Sequence, residues 1–196
     1  MHIYQRFLAG GVPEYLARYY WWAYLWRRSI WFFDHQPIIN AILFWQYDKL
    51  LNKTLAHVER KQGAKLLQLT CVYGKLTPSL LHHTGNEVHV CDVAIGQLEL
   101  ARSKTTDVAD RCLLARMNAE SLGYADDSFD QVILFFLFHE LPPEAMFDEG
   151  GGAVGALQAM SASPAEGERR IAPAIEKQQR LIPRSQRCLK RLHQRS

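Results

Sequence analysis

The chain has few cysteines, and their spacing matches neither a redox pair nor a metal site. Its 196 residues include four cysteines, without a C-x-x-C pair and without the spacing of a zinc site. This absence argues against a structural zinc module. It favours a reduced, cytoplasmic setting in which each cysteine behaves as a small hydrophobic residue.

Long uninterrupted hydrophobic runs are also missing. The most hydrophobic stretch, 15–47, is interrupted by charged and polar residues at Arg18, Arg27, Arg28, Asp34 and His35. No run reaches the ~20 apolar residues that a membrane-spanning helix needs. The chain also lacks a basic start followed by a clean apolar run, so we expect no signal peptide. These features predict a protein that rests on a membrane rather than crosses one.

The net charge of +3 is small and unevenly distributed. Residues 1–168 carry a net charge of −5, whereas residues 169–196 carry +8. A short basic stretch of this composition is typical of a solvated, disordered face. We therefore expect no nucleic-acid partner.

Composition divides the chain into three regions. Residues 1–62 contain all five tryptophans and predict a helical, aromatic front segment. Residues 63–145 alternate short apolar runs with amphipathic stretches, the βαβα pattern of a Rossmann-like parallel sheet. Residues 146–196 contain no convincing strand and predict an irregular or disordered tail, which leaves the α/β sheet apparently incomplete at its C-terminal side. Within the middle region we expect strands at 65–70, 87–91, 112–116 and 131–138, with helices from about residue 77 and at 94–104.

Small or polar residues follow each predicted strand, where an open parallel sheet binds its ligand. Asp92 lies 18 residues beyond Gly74, close to the separation expected for a carboxylate that accepts hydrogen bonds from a ribose. We expect the loop around Tyr73 and the acid at Asp92 to meet at one edge of the sheet. Structural alternatives stay open: Asp92 as a helix cap, Asn118 as a plain loop residue and His139 as a structural histidine. A nicotinamide-dependent oxidoreductase is disfavoured, because no G-x-G-x-x-G follows the first strand.

Three segments of the middle region resemble the motifs of quinone-modifying methyltransferases. They are the first loop at 67–77, the second strand with its ribose-binding acid at 88–92, and the adenine-side loop at 118–130. The first loop departs from the usual Cys-Gly-x-Gly, since it reads Cys71-Val72-Tyr73-Gly74. Together with the segments 20–24 and 135–140, this departure resembles the rhodoquinone-biosynthesis protein family.

The resemblance implies a class I S-adenosylmethionine-binding fold and a reaction. In that family S-adenosylmethionine is the amino donor, with manganese, and an amine replaces a methoxy group of ubiquinone. The implied cofactor-binding residues are Cys71, Val72, Tyr73, Gly74, Asp92, Val93, Asn118 and Ala119. Tyr73 and His139 are the candidate catalytic residues, and Tyr20 and Trp22 are expected to line the quinone entry. His139 and Glu140 are conceivable metal ligands, but no spacing identifies the metal site.

Several functional alternatives remain open. One is a methyltransferase acting on a quinone or another small lipid; another is an inactive, truncated copy of either enzyme, suggested by the composition change after residue 145. The front segment suits a membrane-interface surface, a lid over the substrate or a core helix pair. For a quinone substrate we expect a cytoplasmic protein peripheral to the inner membrane, on the bacterial cytoplasmic or mitochondrial matrix side.

Overall fold

The computed structural model describes residues 10–71, 73–119 and 121–135, which form an α/β fold with helices preceding a parallel sheet. A π-helical turn (Leu16–Tyr20) runs into the first of four short helices, and the sheet region alternates strands and helices. The elements in order are α1 (Trp21–Tyr24), α2 (Arg27–Phe33), α3 (Gln36–Ile42), α4 (Tyr47–His57), β1 (Leu66–Leu69), α5 (Leu76–Thr84), β2 (Val88–Asp92), α6 (Ile95–Lys104), a 3-10 segment (Thr106–Arg111), β3 (Cys112–Arg116) and β4 (Gln131–Leu134).

The four strands form one parallel sheet in the order β3-β2-β1-β4. β1 is central, with Leu66 paired to Val88 on one side and to Gln131 on the other. All four residues of β1 are buried, as expected for a parallel strand covered on both faces. The strand order reverses beside β1, so the ligand-binding edge of this fold lies at the carboxyl ends of β1 and its neighbours.

The sequence-based elements agree closely with this architecture. β3 has the predicted bounds, and α6 begins one residue later than predicted. β4 is described over Gln131–Leu134, and the remainder of the predicted strand at 136–138 lies outside the described residues. The expectations for 136–145 and for a tail at 146–196 also lie outside them.

The helices before the sheet share its hydrophobic core. Ile39 of α3 and Tyr47 and Leu51 of α4 are buried in one cluster with Leu66 of β1 and Leu80 of α5. The burial of Tyr47 is nearly complete, at 1% exposure, which fixes its hydroxyl close to the end of β1. Within the part of the chain that the structure describes, no helix has the length and apolar character required to cross a bilayer.

Candidate functional site

The carboxyl ends of three neighbouring strands meet at one point. The backbone N–H of Cys71, after β1, donates to Oδ2 of Asp92 at 2.7 Å. The backbone N–H of Met117, after β3, donates to the carbonyl oxygen of Asp92 at 3.1 Å. The structure therefore brings together the loop around Tyr73, the acid at the end of β2 and the segment that leads to Asn118, as the sequence predicted.

Asp92 is almost completely buried and is held by backbone amides. Its Oδ1 accepts from the N–H of Ala94 at 2.8 Å, so the side chain also stabilises the start of α6. Burial raises the pKa of the Asp92 carboxyl to about 6, although the hydrogen bonds from Ala94 and Cys71 oppose this shift. A carboxylate offers about four acceptor positions, so the two amide bonds leave acceptor capacity for ribose hydroxyls. The helix-capping alternative and the ribose-binding prediction are thus compatible.

The loop after β1 has two residues in the left-handed conformation that glycine favours, but only one of them is a glycine. Thr70 has φ +67° and Gly74 has φ +93°, both in the left-handed region. A Cβ at Gly74 would lie 2.5 Å from Cζ of the buried Tyr47 ring. Gly74 is therefore required for two reasons, its backbone conformation and its close packing against Tyr47.

Tyr73 faces the helices that precede the sheet. Its hydroxyl donates to the backbone carbonyl of Ala23 in α1. Its ring stacks on Tyr24, with centroids 5.6 Å apart and an interplanar angle of 16°, and lies 6.0 Å from the ring of Phe33. The ring thus anchors the front helices to the loop at the end of β1.

Asp34, at the end of α2, forms a second anchor that the sequence analysis missed. Its Oδ1 accepts from the N–H of Gly74 at 2.9 Å and forms an ion pair with Lys104. The ammonium of Lys104 also donates to the carbonyl oxygen of Gly74 at 2.8 Å. Asp34 and Lys104 therefore hold both backbone polar groups of Gly74. No local sequence signal marks this contact, because Asp34 lies 40 residues before Gly74.

Tyr47 supplies a third anchor. Its hydroxyl accepts from the N–H of Lys75 at 2.6 Å and donates to the carbonyl oxygen of Tyr73 at 3.4 Å. Burial raises the pKa of the Tyr47 phenol to about 12, so it remains protonated at neutral pH. The loop at 73–75 is thereby held from α1, α2 and α4.

Tyr20 and Trp22, the residues expected at the quinone entry, are each one aromatic ring away from Tyr73. Tyr20 contacts Tyr24 edge-on at 6.2 Å, and Tyr24 stacks on Tyr73. Trp22 contacts Phe33 at 5.7 Å and is 48% exposed. The two residues flank the Tyr73 ring through intervening rings, which is compatible with the predicted entry.

The other predicted cofactor-binding residues lie around the same edge. Val93 packs with Val12, Leu16 and Ala17 of the front segment. Asn118 forms an isolated bridge with Ser121, and Ala119 packs against a cluster that includes Leu67, Leu69, Cys91 and Phe129. Cys71 is buried, which raises the pKa of its thiol. Val72 and the catalytic candidate His139 lie outside the described residues.

The described residues do not provide a manganese site. In 10–71, 73–119 and 121–135, no three His, Cys, Asp or Glu side chains lie together as potential metal ligands. His139 and Glu140 fall outside these ranges. The described residues therefore do not fit the metal that the family resemblance implies.

Part of the chain is similar to known methyltransferases. Residues 66–150 match the family model "Methyltransferase domain". A demethylmenaquinone methyltransferase of Lactiplantibacillus plantarum is 35% identical over 116 residues, covering 57% of this chain and 49% of that protein. The corresponding enzyme of Bacillus velezensis is 30% identical over 112 residues, covering 56% and 48%. The chain thus spans about half the length of the curated relatives that it matches.

A solved structure supports the fold. A putative S-adenosyl-L-methionine-dependent methyltransferase from Methanococcus maripaludis aligns with a TM-score of 0.52 and 13% identity, covering 86% of this chain and 81% of that one. At this identity the similarity establishes the fold alone. The parallel sheet and its flanking helices have the Rossmann-like fold of class I S-adenosylmethionine-dependent methyltransferases.

Proposed function

We propose that this chain is an S-adenosylmethionine-dependent transferase that modifies a quinone. The observation that carries the proposal is the meeting of Cys71, Asp92 and Met117 at the carboxyl edge of the sheet. A buried carboxylate beside a loop with a left-handed glycine suits an adenosyl ligand, because the acid accepts from ribose hydroxyls and the glycine permits close backbone approach.

Each predicted cofactor residue has a role in this arrangement. Asp92 binds the ribose, and Gly74 lies along the amino-acid end of the donor. Asn118 and Ala119 flank the adenine, and Cys71 and Val93 form apolar walls; Val72, also expected to bind the cofactor, lies outside the described residues. Tyr73 lies beside the quinone ring. Its contacts with Ala23 and Tyr24 hold the loop after β1 against the front helices.

For the transferred group, the family resemblance favours an amine. The amine nitrogen of the donor bonds to the ring carbon that carries a methoxy group of ubiquinone, and methanol leaves with a proton. The Cα–H bond of the donor then breaks, its proton leaves and its electron pair reduces the ring, which leaves a C=N bond between the ring nitrogen and Cα. Water hydrolyses this bond, so the donor leaves as a 2-oxo acid and the ring keeps the nitrogen as an aminohydroquinone. His139 is proposed to carry the protons, since histidine titrates near neutral pH.

Methyl transfer to a quinone is the second candidate. The two curated relatives described above are demethylmenaquinone methyltransferases, which favours this alternative. In methyl transfer the sulfonium methyl bonds to a ring carbon, the carbon loses a proton and S-adenosylhomocysteine remains. The two reactions therefore leave different products from the same donor.

Product analysis tests the proposal. The purified chain is incubated with S-adenosylmethionine and either ubiquinone, whose ring carbons are all substituted, or reduced demethylmenaquinone, whose ring carries a C–H, and the products are identified by mass spectrometry. With ubiquinone, methanol and an aminohydroquinone, or the aminoquinone that air oxidation forms from it, support amino transfer. With reduced demethylmenaquinone, S-adenosylhomocysteine and a methylated ring support methyl transfer. If neither product forms and calorimetry detects no binding of S-adenosylmethionine, an inactive copy is the correct description.

Variants locate the site. Asp92→Asn should weaken binding of S-adenosylmethionine by roughly tenfold, since one charge-assisted acceptor is lost. Asp107→Asn is the matched control. Asp107 lies in the 3-10 segment, and its exposed carboxylate pairs with His82 of α5. The catalytic assignments are wrong if Tyr73→Phe and His139→Ala both convert ubiquinone at the parent rate.

The proposed location is the cytoplasmic or matrix face of the inner membrane, with the chain attached peripherally. Ubiquinone carries an isoprenoid tail and resides in the bilayer, so the enzyme must reach its substrate there. The exposed aromatic residues of the front helices suit such a position.

A further inference from the structure

Two adjacent aromatic residues in the loop between α3 and α4 are held in an unusual conformation. Phe44 and Trp45 have φ of +49° and +60°, in the left-handed region that bulky residues rarely adopt. Backbone hydrogen bonds close the loop, from Phe44 to Ala41 at 3.3 Å and from Trp45 to Asn40 at 2.7 Å. The loop is therefore a defined turn rather than a loose connection.

The turn directs both side chains outward. Phe44 and Trp45 are 71% and 73% exposed, which makes them the most exposed large hydrophobic residues of the described chain. Strained backbone of this kind is concentrated at functional positions, because a less demanding turn would otherwise replace it. Here the strain presents two large apolar rings to the surroundings with no contribution to the core.

Neighbouring helix α2 adds cations and further aromatic rings. Its exposed residues form two pairs four positions apart that share one face, Arg27 with Trp31 and Arg28 with Phe32, and the exposed His35 follows the helix. These positions of the helix carry no acidic residue, and Arg27, which pairs with Glu99 of α6 at 3.2 Å, keeps 84% of its side chain exposed. Tryptophan and phenylalanine beside arginine are the combination that suits the boundary between lipid headgroups and acyl chains.

The charge distribution along the chain favours one orientation of the protein on a negatively charged surface. Residues 10–57 carry five Lys and Arg against three Asp and Glu, whereas residues 58–135 carry eight against ten. An anionic bilayer attracts the front helices and repels the rest of the described chain.

The turn also adjoins the candidate site. Tyr47, which accepts from the N–H of Lys75, follows Trp45 by two residues. A membrane contact at Trp45 would thus place the loop at the end of β1 close to the bilayer surface.

We propose that Phe44 and Trp45 form a wedge that inserts into the interface of an anionic lipid bilayer, with the cationic face of α2 beside it. This inference rests on the proposed function for its biological purpose, since a bilayer is the source of a quinone substrate. The binding itself requires neither donor nor quinone.

Vesicle flotation tests the wedge. The full chain is mixed with phosphatidylcholine vesicles with or without phosphatidylglycerol, in the absence of S-adenosylmethionine and quinone. We expect binding that is stronger with phosphatidylglycerol, and a loss of roughly tenfold or more in partitioning for the double variant Phe44→Ser/Trp45→Ser. Trp45→Phe should retain binding, because it keeps an aromatic ring at the same position.

Ile95→Ser is the matched control. Ile95 is an exposed large hydrophobic residue of α6, 54% exposed, outside the front helices. It should bind vesicles as the parent does. The circular dichroism spectrum and thermal midpoint of the double variant should match those of the parent, since neither side chain is buried.

Three results would overturn the inference. The parent chain binds neither kind of vesicle, the double variant binds as tightly as the parent, or Ile95→Ser loses as much binding as the double variant does. A parent dimer dissolved by Phe44→Ser/Trp45→Ser, without vesicle binding, would assign the surface to a second copy of the chain instead. The proposed function is tested separately, with a short-chain quinone in detergent, where product formation needs no bilayer. Vesicle binding without product contradicts the function alone, and product without vesicle binding contradicts the wedge alone.

Discussion

The Asp92 carboxylate and the backbone N–H of Cys71 join the ends of β2 and β1 across 2.7 Å, inside the protein. This bond crosses 21 residues of sequence and fixes the edge at which a ligand of this fold binds. It also gives a buried acid a structural task, since Oδ1 simultaneously accepts from Ala94. The same carboxylate thus supports the loop, the start of α6 and the proposed ribose contact.

The first prediction concerns the stability of the fold against pH. The pKa of Asp92 rises from 3.8 to about 6 in the folded chain because burial disfavours the charged form. A raised carboxyl pKa stabilises the fold at low pH, and this contribution is lost as the pH rises through about 6. The two-unit shift corresponds to about 3 kcal/mol.

Urea denaturation of the parent and of Asp92→Asn measures this effect. It is carried out at a series of pH values from below 3.8 to neutrality, so that the series spans both pKa values of Asp92. The difference in free energy of unfolding between the two chains should favour the parent most at acidic pH and shrink as the pH rises. Other carboxylates cancel in the difference, including Asp130, whose pKa is lowered by the backbone N–H of Lys65. A difference that does not change with pH would show that Asp92 titrates normally.

The second prediction separates the two requirements for Gly74. Gly74→Ala places a methyl group against the buried ring of Tyr47 and also strains a backbone with φ +93°. Gly85→Ala, at the end of α5, strains a backbone with φ +68° but meets nothing within 4 Å. We expect Gly85→Ala to lose about 1–2 kcal/mol from the left-handed strain, and Gly74→Ala to lose about 1–3 kcal/mol more from overpacking. If the two variants lose the same free energy of unfolding in urea denaturation, the Tyr47 ring moves aside from the new methyl group at no cost in stability.

The third prediction concerns Thr70, a β-branched residue with φ +67°. Its Oγ1 is buried and has no hydrogen-bond partner among the described residues. Thr70→Gly relieves about 1–2 kcal/mol of strain and adds an entropic loss of about 0.5–1 kcal/mol. The thermal midpoint should therefore rise. Thr70→Ala removes the same hydroxyl but retains the strained backbone, so it should gain less; an equal gain would locate the defect in the hydroxyl.

The sheet could be predicted from sequence because its information is local. Short, mainly apolar runs in 65–70 and 131–138 and the small or polar residues that follow them identify parallel strands and their ligand-binding ends. The bounds of β3 were predicted without error for the same reason. Asp92 was likewise recognisable from its position at a strand end.

The contacts of the front helices could not be predicted in this way. The hydroxyl of Tyr73 reaches Ala23, 50 residues earlier, and no periodicity links the two positions. Tyr73 was expected beside the donor, and the structure shows its ring stacked on Tyr24. The partners of a side chain at a loop depend on how separate elements pack, and that packing is specified by the whole core rather than by the loop.

The fourth prediction concerns the ion pair of Asp34 and Lys104, which holds Gly74 at both its N–H and its carbonyl oxygen. Both side chains are largely buried, at 16% and 24% exposure, so solvent screens the pair only partly. In a double-mutant cycle of Asp34→Asn and Lys104→Met, we expect a coupling free energy of about 1.5–3 kcal/mol.

The pair Arg27–Glu99 is the matched control for this cycle. It also links α2 to α6, but its side chains are 84% and 51% exposed, and such pairs contribute below about 1 kcal/mol. Hydrogen exchange at the Gly74 amide in Asp34→Ala provides a second measurement, since this variant removes the Oδ1 acceptor, which Asp34→Asn would keep as an amide oxygen, and should speed exchange there. If the two cycles give the same coupling, or if Gly74 exchanges at the parent rate in Asp34→Ala, the front helices are held at the sheet by apolar packing and the Tyr73 and Tyr47 contacts alone.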